Sequence, residues 1–459
     1  MKNMSQAWQR SKIRNQWHRA LFAKKRAELP ESLRTPQQFI GLNSVGCGAT
    51  HSIMEKCNFA CSSCYLTEIA NFTRPLGFET IKEQLDSLRM HLGARGKVQV
   101  TSGEVTLLPV EELGRIVSYA RQIGLDPMVM TNGQRLLQVR GYLNTLVEKY
   151  GLRKISFHID TTQKGRLGMT MGLSECDIDP IRERFIELVK DVRRQTGKSL
   201  YAAQTITVTP QNFEDIPAVV DWALDHAGTF RILSLLPVAQ VGRTADRDAE
   251  HITMETVWDA VCAGAGTHLN RHTMSFGHSE CNITVPVVVV SAGKRRLIVE
   301  VVRKNKTWDQ RIFARVIRAY AIPIDVADHR LIVVSQLLWP LLAHPTLLIE
   351  LFIYGFYRLW GLGRRLPTLA MGLLSLRVKP LLLVVHKFMG RDELETPLGQ
   401  ERLDACTFKL PVDGRMISMC EMNATDQRLR LNRDRLVQKN LLVKAEGKRK
   451  RGHNSRGPI

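Results

Sequence analysis

Cys57-Asn-Phe-Ala-Cys61-Ser-Ser-Cys64 follows on the first strand candidate, Ala49–Met54, and this C-x3-C-x2-C loop decides how the rest of the chain is read. Thiolates are the ligands of iron in Fe–S clusters, and most clusters take four of them. Three in one tight loop leave one iron of a [4Fe–4S] cluster without a protein ligand, which is an open position for another molecule. The alternative is a structural zinc site with Cys47 or His51 as fourth ligand, but zinc favours a closed set at C-x2-C spacing. The chain has nine cysteines, at 47, 57, 61, 64, 176, 262, 281, 406 and 420. An odd number with three packed together does not read as a disulfide framework; it points to a reducing compartment and metal ligation.

Outward from the loop, short β-branched runs alternate with longer amphipathic stretches. Strands are expected at Ala49–Met54, Lys97–Thr101, Pro127–Met130, Lys154–Asp160, Ala203–Thr209 and Phe230–Leu236. Helices are expected at Phe78–Leu92, Val110–Ile123, Val139–Tyr150, Ile181–Thr196 and Asp215–His226. Such alternation predicts an α/β fold with a parallel sheet and right-handed crossovers, an open or partial barrel.

In this order the motifs resemble the radical S-adenosylmethionine (SAM) superfamily over roughly residues 48–240. Thr101-Ser-Gly-Glu-Val-Thr-Leu-Leu-Pro109 is similar to the family's Gly-Gly-Glu-Pro segment, which gives Ser102, Gly103 and Glu104 the role of binding the SAM amino group. The third strand ends in Met130-Thr-Asn132-Gly133 and the fourth in Ser156-Phe-His158-Ile-Asp160, positions that line the SAM ribose and the substrate in the family. Ser63 stands where the family has an aromatic residue, with Tyr65 following, and Val105 where it has proline. The resemblance implies a partial (β/α)6 TIM barrel with its polar residues at the C-terminal strand ends. It also implies SAM chelated to the open iron of a [4Fe–4S] cluster on Cys57, Cys61 and Cys64, and cleaved to methionine and a 5′-deoxyadenosyl radical. Cys57, Cys61, Cys64 and His158 are then the catalytic set. Ser102, Gly103, Glu104, Asn132 and Asp160 are the cofactor-binding set, with Asp160 on the ribose and His158, Gln163 or Arg166 toward the substrate. A reductant of the ferredoxin or flavodoxin type is implied as partner.

Cys406 and Cys420 flank Pro411-Val-Asp-Gly414-Arg415, a hairpin with an Asp-Gly turn, so its arms bring them close. With Cys281 they make three ligands for a second metal centre, and His278, Cys262 or Cys176 is available as a fourth; three ordinary buried thiols are the alternative. Residues 411–423 also resemble the C-terminal ending of the tetraether-lipid synthase and methyltransferase-like radical SAM group, through Pro411, Asp413, Gly414, Arg415, Cys420 and Asn423. This implies an auxiliary [4Fe–4S] cluster.

Sixty-five Lys and Arg against forty-four Asp and Glu leave a net charge of +21. That field favours polyanions, either nucleic acid or an anionic membrane surface. Leu331–Trp360 is strongly apolar, but two prolines, His344 and Glu350 argue against a simple span. Flanked by Arg358, Arg364, Arg365, Arg377 and Lys379, it reads as a monotopic membrane contact. The organisation expected is a basic amphipathic N-terminal segment (1–40), the barrel (41–245), an extension with Cys281 (246–300), an apolar basic membrane-facing region (301–390), an auxiliary Fe–S element (391–430) and a basic tail (431–459). The extension beyond the barrel is α+β. No secretory signal is read at the N-terminus, so a cytoplasmic enzyme, peripheral on the inner membrane face, is expected. Its substrate carbon would belong to a lipid or isoprenoid. The rivals are an RNA-modifying or peptide-maturing radical SAM enzyme and a non-catalytic Fe–S binding protein; no RNA-binding module is seen, and nucleic acid is the less favoured partner.

Overall fold

Six strands lie side by side in chain order, each parallel to the next: β1 (Cys47–Ala49), β2 (Lys97–Val100), β3 (Asp126–Thr131), β4 (Lys154–His158), β5 (Tyr201–Val208) and β6 (Phe230–Pro237). The computed structural model describes residues 17–436 apart from 171, 246–248, 272, 293–294, 304–305, 320–337, 340, 343 and 376. Helices Phe78–Leu92, Val110–Gln122, Asp179–Thr196 and Ile216–Asp225 fill four of the connections. The first buries Ile81, Leu85, Leu88 and Leu92, one stripe at helical spacing, against the sheet. This is the partial (β/α)6 barrel that the alternation predicts.

Two boundaries differ from expectation for local reasons. β1 ends at Ala49 rather than Met54: Thr50 N still donates to Gln99 O of β2 (3.0 Å), but His51 N turns to Gln84 Oε1 on the first helix (3.0 Å), which starts the loop early. The helix expected over Val139–Tyr150 is the shorter Tyr142–Glu148, starting after Gly141, whose φ of 81° is left-handed, and a separate short helix, Gln134–Gln138, precedes it.

The last third of the chain returns to the same sheet. β7 (Asn282–Ala292) and β8 (Arg295–Glu300) form an antiparallel pair, β9 (Val378–His386) lies between β6 and β7, and β10 (Phe408–Val412) pairs parallel to β1. β11 (Arg415–Ser418) completes the expected hairpin, with Asp413 and Gly414 both at positive φ, as a tight two-residue turn requires. The order is β11-β10-β1-β2-β3-β4-β5-β6-β9-β7-β8. The stretch 301–390 is therefore not one surface region: its last part is the central strand β9. A continuous apolar run such as Leu381–Val385 fits a strand buried on both faces as well as a membrane-facing segment, and periodicity alone cannot separate them.

The described part of the N-terminal segment is helical over 17–28 and docked on the barrel. Phe22 enters the main core, Trp17 lies under Arg89, and Arg26 donates to Gln38 O and Thr35 O. Residues 1–16, 331–337 and 437–459, on which part of the amphipathic, membrane and tail readings falls, lie outside the described residues.

One buried ion pair braces the strand ends. Arg182 and Glu175 are both fully enclosed, and Glu175 Oε1 also accepts from Thr161 N (2.9 Å), Thr161 Oγ1 (2.8 Å) and Asn212 Nδ2 (2.8 Å), tying the segment after β4 to the one after β5. Removing one member of such a pair strands a charge in the interior. Arg182→Met should therefore lose about 3–5 kcal/mol in urea unfolding, and adding Glu175→Gln should recover part of it.

Candidate active site

The loop holding Cys57, Cys61 and Cys64 sits at the C-terminal end of the barrel and is held by neighbouring strand-end loops. Ala60 N and Ser62 N donate to Lys164 O (2.9 Å) and Thr162 O (3.0 Å), which follow β4. From beyond β2, Gly103 N and Glu104 N donate to Met54 O (2.8 Å) and Lys56 O (3.0 Å). From beyond β6, Arg243 N and Ala245 N donate to Cys64 O (2.7 Å) and Ser62 O (2.9 Å). Two contacts are so close that they exclude side chains: a Cβ on Gly103 would lie 2.2 Å from Glu55 O, and one on Gly242 2.4 Å from the carbonyl carbon of Tyr65.

The three thiols are free and partly buried. Burial pushes Cys57 up to about 11, and burial together with the charges of Cys64, Asp160 and Cys57 holds Cys61 well above the ordinary thiol range. Such thiols favour the protonated form until a metal displaces the proton. Arg243 donates through Nη2 to Cys64 Sγ (3.3 Å), while its buried Nε has no protein acceptor. A soft three-sulfur set beside a half-satisfied guanidinium fits an anionic Fe–S cluster. The zinc alternative loses its fourth ligand: His51 Nε2 is committed to Pro411 O (2.7 Å), and Cys47 lies in β1 beside β10. Among the described residues, no three His, Cys, Asp or Glu side chains are grouped as a single ion would need.

Around the thiols the residues expected to bind the cofactor serve as braces. Ser102 Oγ donates to Glu55 Oε1 (2.8 Å). Glu104 is buried; its Oε1 accepts from Thr106 N (3.0 Å), Thr106 Oγ1 (2.6 Å) and Thr131 Oγ1 (2.7 Å), and its Oε2 accepts from Asn132 N (2.7 Å), joining the ends of β2 and β3. Oε2 keeps capacity for a second donor. Asn132 Nδ2 donates to Asn58 Oδ1 (2.8 Å) and stands 4.0 Å from Cys57 Sγ.

Asp160 is fully buried, with Oδ1 accepting from Thr162 N and Oγ1 (3.1 and 2.6 Å) and Oδ2 from Thr207 N (2.7 Å). Oδ2 also meets His158 Nε2 at 2.5 Å. Burial alone would push Asp160 up, yet His158, Thr162 and Thr207 hold its carboxyl below the usual carboxylate range. His158 keeps 30% of its side chain exposed and is the solvent-reaching member of the pair. Gln163 Nε2 donates to His158 O (2.8 Å), and Arg166 Nη2 donates to His158 O (2.9 Å) and Asn132 O (2.7 Å). Both are buried, so they clamp strand ends rather than face a substrate.

Residues that sequence reasoning passed over hold this arrangement. Glu55 pairs with Arg428 at 2.8 Å, both buried, and Arg428 lies over the Tyr65 ring and donates to Asn423 Oδ1 (3.0 Å from Nε, 2.8 Å from Nη2). Burial would push Glu55 up, but Arg428 and Ser102 hold it below the usual range. A lone Glu and a lone Arg so far apart in sequence carry no spacing signal.

Cys281, Cys406 and Cys420 come from three segments, and the structure brings them within electrostatic range of one another. Arg402, 3% exposed, donates through Nε to Cys281 Sγ (3.3 Å), as Arg243 does to Cys64; Met389 N donates to Cys420 Sγ (3.4 Å). Of the fourth ligands considered, His278 is on the same segment as Cys281 and near Glu401 (3.5 Å). Cys262 is tied to Leu269 and Cys176 is exposed beside Asp179 and Asp215, so neither joins the group.

Residues 51–223 match the family profile described as the Radical SAM superfamily. The segment that holds the cysteine loop is thus similar to the radical SAM superfamily. GTP 3′,8-cyclase 1 of Pseudomonas aeruginosa is 26% identical over 204 residues, covering 42% of this chain and 55% of the cyclase, so the chain spans about half the length of this curated relative. Among solved structures, Streptococcus suis SuiB bound to S-adenosylmethionine is similar at TM-score 0.32 and 14% identity, covering 45% of this chain and 44% of SuiB. Methylornithine synthase (PylB) is similar at TM-score 0.33 and 15% identity, covering 55% of this chain and 69% of PylB. The radical SAM segment spans β2 to β5 with the Cys57 loop, while Arg243, Arg428 and the Cys281 group lie beyond it.

Arg243 is a cation touching one of the three thiols. With iron and sulfide reconstituted on those thiols, Arg243→Gln should leave the iron content near wild type but make the iron centre harder to reduce, read as a more negative midpoint in an EPR-monitored titration. An unchanged midpoint would show that the guanidinium does not sense the iron centre.

Proposed function

We propose that Cys57, Cys61 and Cys64 hold a [4Fe–4S] cluster with one iron open to SAM, and that the enzyme abstracts hydrogen from an unactivated carbon. The observation that supports this most is the three-thiol loop clamped among the ends of β2, β4 and β6, with its fourth-ligand candidates turned elsewhere. The cluster would supply the electron that opens the SAM sulfonium bond. The chain's own residues bind and orient. Glu104 Oε2, with room for one more donor, would take the SAM amino group, and Ser102 and Gly103 set its strand end. Asn132 would border the ribose. Asp160 would act through His158, orienting the ring toward the substrate opening rather than touching the ribose directly. A small reductant of the ferredoxin or flavodoxin type would deliver the electron.

We also infer a second [4Fe–4S] cluster on Cys281, Cys406 and Cys420, supported by their convergence and by Arg402 on Cys281 Sγ. For the substrate we infer a lipid or isoprenoid, supported by the basic charge and by the apolar surface considered below.

Anaerobic reconstitution with SAM and dithionite tests the chemistry. Wild type should form 5′-deoxyadenosine and Cys61→Ala none; product from Cys61→Ala would remove the assignment. Glu104→Ala should keep its iron but bind SAM more weakly, by isothermal titration. For the second cluster, the Cys57/Cys61/Cys64 triple Ala variant should still bind iron and sulfide, and a protein that takes up neither would leave the downstream cysteines structural.

A further inference from the structure

The helix Pro345–Trp360 buries little of its apolar surface. Its inner side holds Leu347 beside polar and aromatic groups: Arg358 meets Asp309 at 3.0 Å, Glu350 pairs with Arg315, and Tyr354 and Tyr357 pack on Trp308. Its outer side is apolar: Ile349 is 60% exposed, Phe352 79%, Phe356 63% and Trp360 79%, spaced along one face. The next helix, Leu366–Leu374, is also apolar outside. Gly372 is pressed against β7, where a Cβ would lie 2.2 Å from Val290 Cγ1, while Met371 is 57%, Leu373 53% and Leu374 87% exposed. The two helices thus expose runs of large apolar side chains rather than scattered single ones.

We propose that this face is a membrane-docking surface that lies in the interface of an anionic bilayer. Helix length excludes a span: sixteen residues rise about 24 Å, against a hydrocarbon core of about 30 Å. No helix among the described residues is long and apolar enough to cross a membrane. Charge selects the occupant. Residues 338–387 carry six Lys and Arg and one acid, Glu350, which is already paired to Arg315. Arg365 and Arg377 are exposed beside the apolar face. Cations bordering aromatic and aliphatic side chains match headgroup and acyl zones together. A second copy of the chain fits less well, because a two-fold contact would set these like charges against each other.

The inference concerns a partner rather than the chemistry, so vesicle binding and SAM cleavage can fail independently. The test is cosedimentation of the full chain with phosphatidylcholine vesicles with and without phosphatidylglycerol, beside gel filtration without vesicles. Wild type should pellet with the anionic vesicles at low salt, bind neutral ones on the order of ten-fold less, and be released only in part by salt, since apolar contact is unscreened. Phe352→Ser/Phe356→Ser/Trp360→Ser should lose what salt leaves behind while still forming 5′-deoxyadenosine, which shows it folded. Arg365→Glu/Arg377→Glu should lose the preference for anionic vesicles. Wild type left in the supernatant at low salt would overturn the proposal. So would a vesicle-free dimer that the triple Ser variant converts to monomer, since the face would then join two copies.

Discussion

The buried pair between Glu55 and Arg428 joins the two ends of the described chain at the point where the cysteine loop begins. Glu55 sits two residues before Cys57, and Arg428 is in the last described helix. Each charge is enclosed, so each tolerates burial only in the other's presence. The pair also enlists Ser102 from the end of β2, the Tyr65 ring behind the third cysteine, and Asn423 from the helix that carries Cys420. The loop thus takes its shape from the sheet on one side and from the C-terminal element on the other. The radical chemistry proposed above would need its cofactor fixed to within a fraction of an ångström of the carbon attacked. The loop is held by strand-end carbonyls and the buried Arg428 rather than by itself alone.

The two cysteine groups share one design. Each gathers three thiols in a partly buried setting and sets one arginine on a sulfur, Arg243 on Cys64 and Arg402 on Cys281. Guanidinium is the cation best suited to such sites, because it stays charged when buried and donates in fixed directions. Both arginines lie outside the segment 51–223 that matches the family profile.

Much of the barrel was legible because local pattern and tertiary role agree there. The helix Phe78–Leu92 was read to the residue, and β2 to β6 to within two or three residues at each end, since each carries one clear period. The same holds for the Asp413-Gly414 turn, whose chemistry is local. What escaped was non-local. β9 is a run of apolar residues whose partner, β6, is remote in sequence, so nothing nearby distinguishes it from a surface segment. β1 lies earlier than its residue types suggest, because His51 leaves the sheet to bond the Gln84 side chain of the helix Phe78–Leu92, a partner that sequence does not announce. At the site, cysteines announce themselves by spacing, while Glu55, Arg243, Arg402 and Arg428 act as single residues whose meaning exists only once the chain has closed on itself.

The order of strands has a further consequence for how the chain comes into being. β1 and β6, the edges of the six-stranded barrel, are covered by β10 and β9, both drawn from the last third of the sequence. A ribosome delivers the barrel first, and its two borders stay open until residues 378–412 emerge. Unpaired strand edges are templates for the wrong partner, and pairings between distant segments form slowly. Both borders of the six-stranded unit therefore wait for β9 and β10, strands made late in synthesis, to be covered.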